Sequence, residues 1–162
     1  MYLANIIKKG ADIMRVIIAG GRDFSDYNLL DKQINKIFKQ LSDEGYLTGY
    51  IENDTTDIEI ISGTANGADK LGEKFAQDYG IRVKRFPADW NNLDTKPCII
   101  KTNQYGKYNV LAGHNRNERM AKYASKDDEL GVLIAFWDGK STGTKNMIKL
   151  AEKYKLRVFV VN

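Results

Sequence analysis

The chain is predicted to fold as an open, doubly wound α/β unit: a five-stranded, mainly parallel sheet with helices on both faces. Three observations lead there. Five short, nearly uninterrupted apolar runs recur along the sequence, as expected of strands covered on both sides. Amphipathic helical stretches fall between them. Four short segments share one grammar, in which an apolar run breaks into glycine and small polar residues and then opens a helix. These are 20–23 (GGRD), 62–69 (SGTANGAD), 112–117 (AGHNRN) and 138–144 (DGKSTGT).

In chain order, residues 15–19 form the first strand, and Leu30, Ile34, Ile37, Phe38 and Leu41 share one face of the helix that follows. Residues 58–62 are the second strand, with Ala68, Leu71, Phe75, Ala76 and Tyr79 repeating the helical spacing after it. Strands at 82–86, 131–137 and 157–161 complete the set, and Met147, Ile148, Ala151 and Tyr154 mark the last helix. Right-handed crossovers between such strands produce a parallel sheet, and the glycine turns then gather at its carboxyl edge, where ligands bind. Two segments stand outside this pattern. Residues 1–14 read as an N-terminal extension, and residues 91–111 as a long loop, a lid or an oligomer contact. Tyr105 and Tyr108 in that loop either stack on a base or anchor the loop to the surface. The polar stretch 45–57 reads as a surface loop.

With 162 residues, 43% of them hydrophobic, the chain suits one domain, assigned to residues 15–162. No apolar run is long enough to span a membrane and the start lacks a secretory pattern, so a cytoplasmic location is expected. The single cysteine, Cys98, excludes an internal disulfide, and the single histidine, His114, leaves no histidine metal centre. Neither a metal nor a cofactor is expected. A net charge of +4 favours anionic partners. The basic residues are dispersed, however, and clusters such as Arg82, Lys84, Arg85 and Lys149, Lys153, Lys155, Arg157 read as solvated faces, leaving nucleic acid a lesser alternative.

The four turns carry the chemistry. Glycine lets a ligand approach the backbone, and a helix start presents unpaired N–H groups and partial positive charge. Gly20 and Gly21 permit a tight turn; Arg22 either holds a phosphate or pairs with Asp23. Ser62, Gly63, Thr64, Ala65 and Asn66 supply hydroxyls and bare backbone, and Asp69 either accepts from ribose hydroxyls or caps its helix. Asp89 and Trp90 offer a stacking platform for a base or a plug over the sheet edge. Asn115, Arg116 and Arg119 stand at a helix start as anion contacts. Glu118 is the one catalytic candidate there, able to orient a water, and equally a favourable charge at a helix N-terminus. Asp138, Gly139, Lys140, Ser141, Thr142, Gly143 and Thr144 resemble a phosphate cradle but lack the upstream glycine of a Walker A loop.

Together the stretches 16–24 (VIIAGGRDF), 62–69 (SGTANGAD), 87–90 (PADW), 112–120 (AGHNRNERM) and 136–144 (FWDGKSTGT) resemble the SLOG superfamily, the Rossmann-like group that includes Smf/DprA and LOG proteins. The similarity is greatest to its YspA-like branch, common in bacteria and phages. The resemblance implies binding of a nucleotide or nucleotide-derived ligand, for sensing or sequestration, in a homo-oligomer. Two alternatives come with it. One is LOG-like phosphoribohydrolase chemistry, cleaving an N-glycosidic bond; the other is DprA-like binding of single-stranded DNA. The LOG signature places a glutamate three residues after Gly-Thr, and here that position is Met147, which counts against hydrolysis.

Overall fold

The structure is a computed structural model and describes residues 13–47, 55, 57–126 and 130–162. Residues 1–12 of the expected extension, and most of the loop expected at 45–57, lie outside the described residues. The elements run β1 (Met14–Gly20), α1 (Tyr27–Asp43), β2 (Ile58–Ser62), α2 (Ala68–Tyr79), β3 (Arg82–Arg85), β4 (Ile100–Asn103), β5 (Gly106–Asn109), α3 (Ala112–Ala124), β6 (Gly131–Phe136), α4 (Thr142–Lys153) and β7 (Arg157–Val161). Five strands form one parallel sheet in the order β3-β2-β1-β6-β7. This is the expected Rossmann-like arrangement.

Side-chain alternation on β1 sends Val16 and Ile18 to one face and Ile17 and Ala19 to the other, and both faces are covered. The first face packs against Leu30, Ile34 and Phe38 of α1 and Phe75 of α2; the second packs against Met120 and Ala121 of α3 and Met147 and Ala151 of α4. Gly72 lets α2 approach closely, since a Cβ there would lie 2.8 Å from the Ile18 Cβ. Each fully buried Ile, Leu or Phe contributes about 1.5–3 kcal/mol, so the two layers hold the central strands firmly.

Connections from β1 run outward through β2 to β3, then cross back to β6. The strand order therefore reverses between β1 and β6, and their pairing from Arg15↔Gly131 to Gly20↔Phe136 brings both carboxyl ends level. The turns after these two strands emerge side by side.

Two expectations are corrected. The strands were expected to be buried throughout, yet β3 is largely exposed and β7 half-buried, because each is an edge strand with a single neighbour. Arg82, Lys84 and Arg85 on β3 protect that edge from further pairing. The segment 91–111, expected as a loop, contains an antiparallel hairpin, β4 paired with β5. Its turn residues, Gln104 and Tyr105, are not the Asn-Gly or Asp-Gly pair that announces a hairpin. Asn109 secures its base, accepting from the N–H groups of Ile99 and Leu111 at 3.2 and 3.0 Å.

Candidate functional site

At the reversal point the turns enclose a cleft of about 570 Å³, a size typical of small-molecule sites. Gly20 and Gly21 form its floor beside β6; Gly20 tolerates no side chain, whereas at Gly21 only the Asp23 carboxylate would have to move. A Cβ on Gly20 would lie 2.5 Å from the Phe136 carbonyl, and one on Gly21 would lie 2.8 Å from Asp23 Oδ1. Gly67 locks the second turn against the first: its φ is +81°, and a Cβ would collide with the Gly21 carbonyl and approach the Arg22 carbonyl carbon to 2.6 Å.

Fourteen predicted residues line this cleft: Gly20, Gly21, Arg22, Asp23, Ala65, Asp69, Trp90, Arg116, Asp138, Lys140, Ser141, Thr142, Gly143 and Thr144. The exposed Arg22 forms no ion pair with Asp23 or with any other carboxylate among the described residues, so its five donors face solvent and the cleft. On the opposite wall Asp138 Oδ1 accepts from the N–H groups of Lys140 and Ser141 at 2.8 and 2.9 Å. Those bonds hold its carboxyl below the usual range. Ser141 then caps α4, accepting from Thr144 N–H at 3.4 Å. The N–H groups of Thr142 and Gly143 keep no protein acceptor among the described residues, and both line the cleft. Gly139 does not line it; its φ of +78° shapes the turn.

The second turn is arranged differently from expectation. Ser62 is buried, donates to Glu73 Oε1 at 2.7 Å and accepts from Thr64 N–H at 3.0 Å. Ala65 N–H donates to Asp69 Oδ2 at 3.1 Å, and the Gly63 carbonyl accepts from Arg116 Nη1. The turn thus consumes its own donors. Thr64 adopts a left-handed backbone at φ +63°, rare for a β-branched residue. Gly63, Thr64 and Asn66 face a smaller hollow of about 260 Å³ next to the cleft, sharing Arg22, Ala65, Trp90 and Arg116 with it.

Helical phase sorts the α3 candidates. Gly113, Arg116, Asn117 and Met120 lie at i, i+3, i+4 and i+7 and line the cleft, whereas Asn115, Glu118 and Arg119 face another hollow of about 290 Å³ together with Asp89. Glu118 therefore stands away from the cleft. Tyr154 donates to it at 2.8 Å, and Lys122 and Lys153 lie at 3.9 and 3.5 Å, so its carboxyl is held below the usual range. Asn115 donates to the Pro97 carbonyl and Arg119 to the Pro87 carbonyl, both at 3.0 Å. These two side chains fasten loops.

Seven lining residues were not among the expected ligand contacts: Ala19, Val110, Gly113, His114, Asn117, Met120 and Met147, of which Gly113, His114 and Asn117 fall within the 112–117 segment. The helical spacing of 113, 116, 117 and 120 was the available signal. Asn117 is buried and links α3 to α4, donating to Asn146 Oδ1 at 3.0 Å and accepting from Arg116 Nε at 2.9 Å. Met147 belongs to the core beneath the cleft. Trp90 covers the first turn of α3, where a Cβ at position 113 would meet its ring at 3.4 Å. Tyr105 does not reach the cleft; it sits at the hairpin tip, 88% exposed.

The wall between α2 and α3 holds the most perturbed carboxyl of the cleft. Asp69 is only 7% exposed, and burial raises its pKa from 3.8 to about 6, against the opposing pull of Arg116 and of the Ala65 N–H. Arg116 is buried too, which lowers its pKa while Asp69 opposes the shift. Among the described residues no three His, Cys, Asp or Glu side chains cluster as a metal site.

Residues 14–92 match the model of the YspA, cpYpsA-related SLOG family. The SLOG match contains the first two glycine turns and Trp90, while α3 and the turn after β6 lie beyond it. A solved structure, DNA processing protein A (DprA) from Streptococcus pneumoniae, shares the fold at 16% identity and a TM-score of 0.57. The superposition covers 93% of this chain and 50% of that one, so this chain spans half the length of that structure. No curated protein matches the sequence. No helix among the described residues is long and apolar enough to cross a membrane.

Proposed function

We propose that the cleft binds a nucleotide or nucleotide-derived ligand, and that the protein senses or sequesters it. One observation carries the reading: at the strand reversal, an arginine and helix N–H groups that have no partner among the described residues face the same cavity as a tryptophan. Arg22 and the N–H groups of Thr142 and Gly143 suit phosphate oxygens, and Trp90 suits the face of a base. Residues 15–162 act as one binding unit, with Trp90 and Val110 at the base of the hairpin closing one side. Cytoplasmic location and assembly into a homo-oligomer belong to the same reading, and light scattering tests the latter.

The hydrolase alternative is weaker here, since Glu118 lies outside the cleft and Met147 stands where LOG enzymes carry glutamate. Incubation with nucleoside monophosphates, NAD and cyclic nucleotides, followed by chromatography and thermal shift, decides between the two. Intact ligand with a raised melting temperature supports binding; released base overturns it. One observation favours a second partner class: residues 95–117 contain no acidic side chain, and the hairpin exposes Lys101, Lys107 and Tyr105. Salt-dependent retention of single-stranded DNA would support that reading.

A further inference from the structure

We propose that the cleft takes up its anionic ligand together with one proton, which settles on the Asp69 carboxyl and turns it from hydrogen-bond acceptor into donor. The inference rests on the binding reading above and adds a chemical condition to it. Asp69 starts α2 and lines the cleft, yet is more than nine-tenths buried. Its Oδ2 accepts from Ala65 N–H at 3.1 Å; among the described residues its other oxygen has no hydrogen-bond partner. A Cβ on Gly63 would lie 2.7 Å from that carboxylate and 2.6 Å from Arg116 Nη1, so both charges press on one backbone atom.

The charges facing Asp69 come from three elements. Arg116 of α3 and Arg22 of the first turn attract its ionised form, while Glu73, one turn further along α2, repels it. Glu73 is itself engaged by Ser62 and by Arg85, the latter at 3.0 Å. An anion entering against Arg22 and Arg116 takes up their positive potential and adds negative charge beside the carboxylate. Burial already disfavours that carboxylate. The least costly outcome is uptake of a proton from solvent. One oxygen keeps the Ala65 N–H bond, and the new O–H donates to an anionic oxygen of the ligand. Asp69 is thereby a positioning residue for anions, and the cleft favours a phosphate-type dianion over a neutral nucleoside.

Sulfate is the probe, because it does not titrate near neutrality. Its affinity is measured by calorimetry from pH 5.5 to 8 in two buffers of different ionisation enthalpy. A rise of one pH unit in the Asp69 midpoint on binding corresponds to about fivefold tighter binding at pH 6 than at pH 8, with net proton uptake between them. His114, Asp23 and Asp138 also line the cleft and serve as controls; His114→Gln, Asp23→Asn and Asp138→Asn are expected to retain the uptake and Asp69→Asn to abolish it. Sulfate binding by the wild type with neither proton uptake nor pH dependence overturns the inference and leaves the binding reading standing. Loss of uptake in one of the control variants instead of Asp69→Asn overturns it equally. Absence of sulfate binding at every pH overturns both.

Discussion

Replacing Asp69 by asparagine should stabilise the free protein at neutral pH, although the change removes a charge facing a buried arginine. The folded carboxyl titrates at about 6 against 3.8 when solvated, so between those values the folded chain holds a proton that the unfolded chain has released. Stability from this group is therefore fully present below the solvated value and is lost as pH rises through the folded one. The gap corresponds to about 3 kcal/mol, which the ionised carboxylate subtracts from stability above pH 6. An amide has the size of the neutral acid and never ionises. It also leaves Arg116 less well compensated, so the expected net gain at pH 7.5 is about 1–3 kcal/mol. For a chain of this size each kcal/mol moves Tm by about 2–4 °C. Urea denaturation of both proteins from pH 4 to 8, followed by circular dichroism, measures the gain directly. The two stabilities should converge toward pH 4, diverge between about pH 4 and 6 and differ by a constant amount above that. An asparagine variant less stable than the wild type at pH 7.5, or a difference that does not change with pH, refutes the claim that burial outweighs the attraction of Arg116.

Gly67→Ala should cost about 1–3 kcal/mol from its left-handed backbone, and more from the collision with Gly21 and Arg22, whereas Gly139→Ala, at a similar φ in open space, should cost only about 1 kcal/mol. Equal losses in denaturation midpoints would remove the packing argument. Arg22→Ala should change Tm little, because the side chain is exposed and forms no ion pair among the described residues, while weakening nucleotide binding at least tenfold by calorimetry. Glu118→Gln, on the far side of α3, should leave that affinity unaltered. Trp90→Ala should remove most of the fluorescence quenching that a bound base produces, with Trp137 reporting the remainder.

Much of the fold was legible in the residues. Continuous apolar runs such as 16–19 and 131–136 arise only where both faces of a strand are covered, and the predicted strand bounds match the observed ones to within about a residue. Leu30, Ile34, Ile37, Phe38 and Leu41 were all found buried on one helix face, because a period of 3.6 has a single solution. The hairpin at 100–109 escaped notice, since two short strands exposed on both sides have no apolar alternation to reveal them.

Residue types and glycine spacing were enough to say that the turns after β1, β2 and β6 would meet at one edge, because strand–turn–helix order and crossover handedness constrain where they emerge; the 112–117 segment, expected to follow a strand of the same sheet, follows β5 of the separate hairpin instead. Which donors those turns leave free was a matter of partners remote in sequence. Ser62 is taken by Glu73 and the Gly63 carbonyl by Arg116, 53 positions away, while Thr142 and Gly143 keep open N–H groups. Glu118 and Arg116 stand two residues apart and face different hollows, because successive helical positions rotate by about 100°. Burial of Asp69 likewise follows from the turn at 63–65 and the Arg116 side chain standing against its carboxylate. A carboxyl's surroundings, and hence its proton, depend on distances in space that residue order along a chain does not encode.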